Sequence, residues 1–211
     1  MLRLVLAVSL DGRLAPPEGG AAQLGGPGDR RVLEEALAWA DGCLIGAQTL
    51  RLHGTTCLIH GQDLLAQRAA AGRSHQPVAV VVSRSAVIPA ALPFWRQPLE
   101  RWLLAPAGAP ALPGFQARLD WDGWASALDA LGQRGLSRLV VLGGAALAGS
   151  LLEGDWLDEL QLSLCPRLLG GPHLWLPLQT ALGRGEWHLQ EHRRLEDDAV
   201  LLRYRRGLAK P

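Results

Sequence analysis

Residues 138–152 read RLVVLGGAALAGSLL. An apolar run stops at Gly143-Gly144 and resumes at once with helix-forming residues, with no polar turn between. The stretch is a buried strand feeding directly into a helix, a step that recurs in α/β folds. Two readings of the glycine pair stand side by side. Either it lets a helix pack closely on a sheet, or it lets backbone N–H groups approach an anion at a helix N-terminus.

Working outward, residues 4–8 form a strand buried on both faces, and Pro16 to Gly28 a long loop rich in Gly and Pro. Asp29 reads as the N-cap of a helix in which Leu33, Leu37 and Ala40 recur at helical spacing beside Val32 and Ala36. Residues 43–46 are a short second strand, and 53–74 a loop with one short helix. Residues 78–82 are a β-branched central strand. Residues 102–105 and 115–119 are strands toward an edge. Trp124, Leu128 and Leu131 mark a helix that Gly135 closes. From Leu160 the pattern changes: 160–165, 187–193 and 199–204 are strands without intervening helices, with Glu196-Asp197-Asp198 as a hairpin turn. Strand and helix alternate first and antiparallel strands follow, so the expected architecture is α/β, a mixed central sheet flanked by helices. No internal repeat or linker divides the 211 residues, and a single domain is expected.

Bulk composition narrows the function. Hydrophobic residues make up 48% and charged residues 19% of the chain, a globular balance. The formal charge of +1 argues against a nucleic-acid partner. Arg203, Arg205 and Arg206 read as a solvated strand face. Cys43, Cys57 and Cys165 lie apart without a C-x-x-C pair, as reduced core thiols of a cytoplasmic protein would. The opening MLRLVLAVSL has the look of a short signal peptide, but Asp11-Gly12-Arg13 interrupts it and a first strand fits better. Residues 139–152 are too few to span a bilayer, so no membrane partner is expected.

Metal chemistry is not expected. His188-Leu189-Gln190-Glu191-His192 matches an H-x-x-E-H zinc motif, which requires a helix; in a strand its imidazoles stand about 13 Å apart. The G-x-S-x-G elbow, the G-x-x-x-x-G-K-[ST] phosphate loop, G-x-G-x-x-G and the zinc-deaminase pattern are missing. Three candidate ligand positions remain at strand ends: Thr49, Ser83-Arg84 and Gly143-Gly144. A hydroxyl and a guanidinium at 83–84 could grip a phosphate monoester. Together the three suit a phosphorylated dinucleotide at the C-terminal ends of parallel strands.

Five segments in order resemble the reductase domain of riboflavin biosynthesis, which has the dihydrofolate-reductase-like fold. They are Ser9-Leu10-Asp11-Gly12-Arg13-Leu14-Ala15, the run from Ala40 to Thr49, the run from Gly143 to Leu152, Leu157-Asp158-Glu159-Leu160, and the run from Cys165 to Gly171. The likeness extends from residue 4 to about 205. It implies NADPH as hydride donor and a 5-amino-6-(5-phosphoribosylamino)uracil-like pyrimidine as acceptor, its ribosyl group reduced to ribityl. Carried over by position, Thr49, Ser83, Gly143, Gly144 and Ala145 line the cofactor, with Arg84 toward its 2′-phosphate. Ser9, Asp11 and Arg13 border the substrate, and Asp11 is the nearest candidate for a catalytic acid. The family often pairs as homodimers, with the C-terminal strands as the expected interface. The deaminase domain that often accompanies this reductase is not in the sequence.

The departures fall on the substrate side. An Asp-Asp-Pro segment is replaced by Leu52-His53-Gly54-Thr55, a glutamate before the glycine pair by Leu142, and a basic residue on the first helix by Leu37. Arg51, His53, Thr55 and Thr56 are the expected substitutes in the altered loop. Three alternatives stay open: a reductase of the same fold acting on another heterocycle such as a pterin, a non-catalytic NADPH-binding protein, and a chain in which the glycine pair only packs. The last predicts that Gly144→Asp destabilises the fold and changes no affinity.

Overall fold

A computed structural model describes residues 1–183 and 185–207. The chain divides into two compact units, Met1–Leu33 with Gly143–Pro211, and Glu34–Leu142.

The second unit is a parallel sheet. β2 (Gly42–Gly46), β3 (Val78–Val82), β4 (Arg101–Ala105), β5 (Ala117–Asp120) and β6 (Leu139–Val141) lie in the order β5-β4-β3-β2-β6. Every pairing within this set is parallel. Strands covered on both faces need unbroken apolar runs, and VAVVV and LVV supply them. β5 takes the edge. Helices α2 (Ala47–His53), α3 (Gln62–Ala70) and α4 (Trp124–Gln133) complete the unit. Trp124, Ala127 and Leu131 bury the inner face of α4. Gly135, at φ +88°, ends it in a Schellman turn: its N–H donates to Gly132 O and that of Leu136 to Leu131 O.

The first unit is mixed. β1 (Leu2–Ser9) pairs in parallel with β7 (Glu159–Cys165), which pairs antiparallel with β9 (Val200–Arg206), and β9 with β8 (Trp187–Arg194). A turn at 196–198 joins β8 to β9 as the Glu-Asp-Asp run predicts. Along β7 buried and half-buried residues alternate, so Glu159, Gln161, Ser163 and Cys165 share the inner face. α1 (Pro27–Trp39) begins in this unit, and Val32 packs with Leu195, Ala199 and Leu201. α5 (Ala145–Glu153) buries Leu147, Ala148, Leu151 and Leu152.

The expected α/β architecture is present, with four local corrections. α1 starts at Pro27, so Asp29 lies in its first turn rather than at its N-cap; proline at a helix start loses no hydrogen bond. Thr49 lies on α2, because residues after Gly46 turn straight into helix. The C-terminal part is not wholly antiparallel, since β7 runs beside β1. Arg203 and Arg205 are not simply a solvated face: they reach Glu159, whose side chain is 0% exposed. Arg206 holds Asp155 at 2.6 Å. Among the described residues, no helix is long and apolar enough to cross a membrane.

Candidate functional site

The first unit carries two groups of the expected site residues. At the C-terminal end of β1 the chain turns through Ser9, Asp11 and Arg13. Ser9 Oγ donates to Asp11 Oδ1 at 2.5 Å and accepts from the Arg13 N–H at 2.8 Å. The Asp11 carboxylate also accepts from the N–H of Leu169 at 3.1 Å and of Gly170 at 2.7 Å. Arg13 donates to Gly171 O at 2.7 Å and to Asp11 O at 2.8 Å. The three residues therefore clasp the segment that follows β7.

This network decides the character of Asp11. Hydrogen bonds from Ser9, Gly170 and Leu169 hold its carboxyl down to about 2. It is ionised at neutral pH and has no proton to give. The geometry makes Asp11 an anchor for the loop it holds.

The second group in this unit is Gly143-Gly144-Ala145. Gly143 sits at φ +87°, a conformation that favours glycine, and a Cβ there would meet Leu6 Cδ2 at 3.0 Å. Gly144 is the N-cap of α5 at φ −90° and ψ −166°, an extended conformation open to any residue, and no side chain caps the helix. The opening N–H groups of α5 thus have no side-chain acceptor at the N-cap, as an anion-receiving helix start requires. The glycine demanded by the backbone is Gly143.

A third feature of this unit escaped the sequence reading. Asp29 in α1 hydrogen-bonds Ser163 on β7. Burial raises its carboxyl above 3.8, outweighing the Ser163 hydrogen bond and the charge of Arg30. No spacing in the chain announces a pairing between a helix and a strand so far apart in sequence.

The second unit holds the other candidates. Thr49 is half-buried on α2, whereas Arg51 and His53 on the same helix are exposed. Arg51 donates to Val87 O at 2.9 Å. Gly54, at φ +72°, ends α2 with its N–H on Leu50 O at 2.8 Å and its carbonyl taking the Phe94 N–H at 2.9 Å. The altered loop is therefore built, not slack. Thr55 is half-buried. Thr56 is buried, with its N–H donating to Gln97 Oε1 at 2.9 Å and its carbonyl accepting from Gln97 Nε2 at 2.8 Å. Its hydroxyl lies 4.0 Å from Cys43 Sγ in the interior, so its side chain is a packing group.

Ser83, just past β3, is buried with Oγ accepting the Ala86 N–H at 3.0 Å, while the neighbouring Arg84 is exposed. The serine shapes the turn and the arginine is presented outward. Leu37 is 0% exposed, and Leu142 is half-buried with its N–H on Leu44 O at 2.9 Å. Where the resemblance leads one to expect charge, Leu37 is core. The H-x-x-E-H segment is strand β8, and among the described residues no group of three His, Cys, Asp or Glu side chains could hold a metal ion.

The family described as the RibD C-terminal domain matches residues 1–201. Riboflavin biosynthesis protein RibD of Haemophilus influenzae is 26% identical over 212 aligned positions, covering 95% of this chain and 57% of that protein. The 2,5-diamino-6-ribosylamino-4(3H)-pyrimidinone 5′-phosphate reductase of Methanothermobacter thermautotrophicus is 26% identical over 180 positions, covering 78% of this chain and 77% of the relative. In fold, a pyrimidine reductase-like protein from Corynebacterium diphtheriae superposes with a TM-score of 0.82 at 18% identity, over 98% of this chain and 92% of that one. The chain thus spans little more than half of the Haemophilus protein.

Proposed function

The chain belongs to the RibD C-terminal domain family, and from that premise we propose that it is a reductase of the riboflavin-pathway type. Its substrate is a ribosylaminopyrimidine 5′-phosphate, either the diaminopyrimidinone named for the Methanothermobacter relative or the 5-amino-6-(5-phosphoribosylamino)uracil analogue. The observation that carries the reading is the start of α5, where a glycine at φ +87° precedes a helix end without a side-chain cap.

The cofactor is NADPH. Gly143, Gly144 and Ala145 would receive its diphosphate on backbone N–H groups. Thr49 and Ser83 would border it, with the exposed Arg84 on the 2′-phosphate. When bound, it supplies a hydride to the sugar carbon. The protein's own work is to hold the pyrimidine and its phosphate in register and to keep water out. Ser9, Asp11 and Arg13 do this by clasping residues 169–171, and Arg51, His53 and Thr55 by lining the altered loop. Thr56 supports that loop from inside. The protein works in the cytoplasm as a homodimer. β8, at the margin of its sheet with Leu189 48% exposed, supports a C-terminal interface that sedimentation velocity would detect.

The test is a titration with NADPH and NADH, followed by quenching of the eight tryptophans, and then turnover of the phosphoribosylaminopyrimidine with product identification. Tight NADPH binding, about tenfold or more weakened in Arg84→Ala, together with a ribityl product, is the expected result. Saturable binding with turnover only of a dihydropterin would reassign the substrate. Binding without turnover of any candidate would make the protein a cofactor-binding module, and no binding would end the reductase reading.

A further inference from the structure

Reduction of a ribosyl group to ribityl leaves a hydroxyl where the ring oxygen was, so a proton must reach that oxygen. Asp11 holds none at neutral pH. We propose that Asp29 is the acid that protonates the ribose ring oxygen as the ring opens. The inference rests on the riboflavin-type reduction proposed above.

Its basis is placement. Asp29 occupies the first turn of α1, and its carboxyl bonds Ser163 on the inner face of β7. In the β1–β7 register Ser163 stands opposite Ala7, and Cys165 opposite Ser9. Asp29 thus lies two residues short of the C-terminal ends of two parallel strands. The Ser9–Asp11–Arg13 turn begins at one of those ends, and the segment it clasps follows the other. Open α/β sheets take ligands at that end of their strands.

The surroundings suit a group that carries a proton. A carboxyl in the first turn of a helix is ordinarily favoured as the anion, yet burial here pushes it toward the neutral acid. Arg30 follows it on the helix and favours the anion. Cys165 on β7 is pushed up to about 11 by burial and by Asp29, and stays a neutral thiol; Arg167 lies beyond it. The Asp29 carboxylate itself lies against Gly25, and at the mouth of the helix the turn between β8 and β9 brings the Asp197 carboxylate to Gly26 and the Glu196 backbone to Gly28.

The step balances as follows. The C1′–O4′ bond breaks with its electron pair going to O4′, and O4′ takes the proton from the Asp29 carboxyl. C1′ gains the hydride of the reduced nicotinamide, which leaves oxidised. Asp29, now a carboxylate, regains a proton from solvent.

The experiment compares wild type with Asp29→Asn, Asp29→Glu and Ser163→Ala, with kcat and KM for the phosphoribosylaminopyrimidine measured across pH and NADPH affinity by tryptophan quenching. Wild-type kcat should fall on the alkaline side as the acid deprotonates. Asp29→Asn should lose kcat by about 100-fold or more, lack that limb, and bind NADPH as wild type does. Asp29→Glu should recover part of the rate. Ser163→Ala removes a hydrogen bond that favours the anion, so its limb should move to higher pH. ¹³C NMR titration of the carboxyl, which needs no turnover, should place it above the ordinary 3.8. An Asp29→Asn enzyme within fivefold of wild type with its limb intact overturns the assignment, as does an Asp29 carboxyl titrating at or below its ordinary value. Should Asp29→Asn not fold, an unmoved limb in Ser163→Ala overturns it instead. A wild-type protein that binds NADPH and turns over no such substrate sinks the reduction reading itself, and the role of Asp29 with it.

Discussion

Replacing Glu159 by Gln tests the polar rung that crosses the first unit. Arg3, Glu159 and Arg205 stand opposite one another on β1, β7 and β9. Arg3 Nε meets Glu159 Oε2 at 2.7 Å, Arg205 Nη2 meets Oε1 at 2.8 Å, and Arg203 approaches at 3.7 Å. The carboxylate is fully enclosed and the Arg3 side chain 10% exposed. Removing one partner of a buried pair costs about 3–5 kcal/mol. Here Gln keeps an acceptor for Arg3, and Arg205 is more than half exposed and can turn to water, so about 2–3 kcal/mol is expected at pH 7. The pH dependence follows from the sign of the shift. Burial alone would raise Glu159, but hydrogen bonds from Arg205 and Arg3 and the charges of Arg3 and Arg203 outweigh it and hold it below 4.5. The ionised rung therefore stabilises fully above 4.5 and is lost as pH falls through the depressed folded value. Urea denaturation of wild type and Glu159→Gln from pH 7 to pH 4 should show a gap that narrows in acid, because the protonated acid and the amide are near equals. A gap under 1 kcal/mol at pH 7, or one indifferent to pH, would refute the reasoning. The rung lies at the opposite strand ends from the Ser9 turn, so the NADPH affinity of the folded variant should be unchanged.

Arg68, 1% exposed, donates to the carbonyls of Leu37, Ala38 and Ala40 at the end of α1 and to Ser74 O. Arg68→Met should cost about 3 kcal/mol in urea denaturation, since several helix-end carbonyls lose their donor, and Arg68→Lys should recover little of it because an ammonium lacks the fork. Asp11→Asn should raise KM about tenfold by loosening the 169–171 clasp while leaving the alkaline limb of kcat in place, which steady-state kinetics across pH will read. Because the Asp11 carboxyl is depressed to about 2, its contribution to stability is present above 3.8 and fades only as pH falls through about 2. Gly144→Asp should fold as well as wild type or slightly better, since extended angles and a free N-cap suit Asp. Its carboxylate should weaken NADPH by about 100-fold, because like charges about 5 Å apart at an effective dielectric near 20 repel by about 3 kcal/mol. Unchanged affinity in that variant would make the glycine pair a packing device.

Most of the secondary structure was legible because it depends on local pattern. VAVVV can only be a strand buried on both faces, whereas along β7 the structure buries Glu159, Gln161, Ser163 and Cys165 and leaves the alternating leucines half-buried, the reverse of what hydrophobicity suggests. Helix boundaries were less legible. Gly46 passes from β2 directly into α2 with no polar punctuation, so Thr49 reads as a strand end when it is helical. Pro27 opens α1 before the residue that looks like a cap. The C-terminal basic run resembles solvated strand surface because the carboxylate it encloses, Glu159, lies on another strand and is identified by register alone.

Site chemistry was the least legible, for a physical reason that Asp11 and Asp29 share. Both are aspartates beside a helix or turn, and nothing in their neighbours along the chain distinguishes them. What separates them is the partners the fold brings in. Asp11 receives Ser9 Oγ and two N–H groups from residues 169 and 170, and every one of those donors favours the anion. Asp29 takes a hydrogen bond from Ser163 and is half-buried in the first turn of α1. Three donors hold the first carboxyl well below its ordinary range and make it a fastener, whereas burial pushes the second above its ordinary 3.8 despite the Ser163 hydrogen bond. The two carboxyls are thus pushed in opposite directions by partners that only the fold brings in, residues 169–170 for one and β7 with its burial for the other.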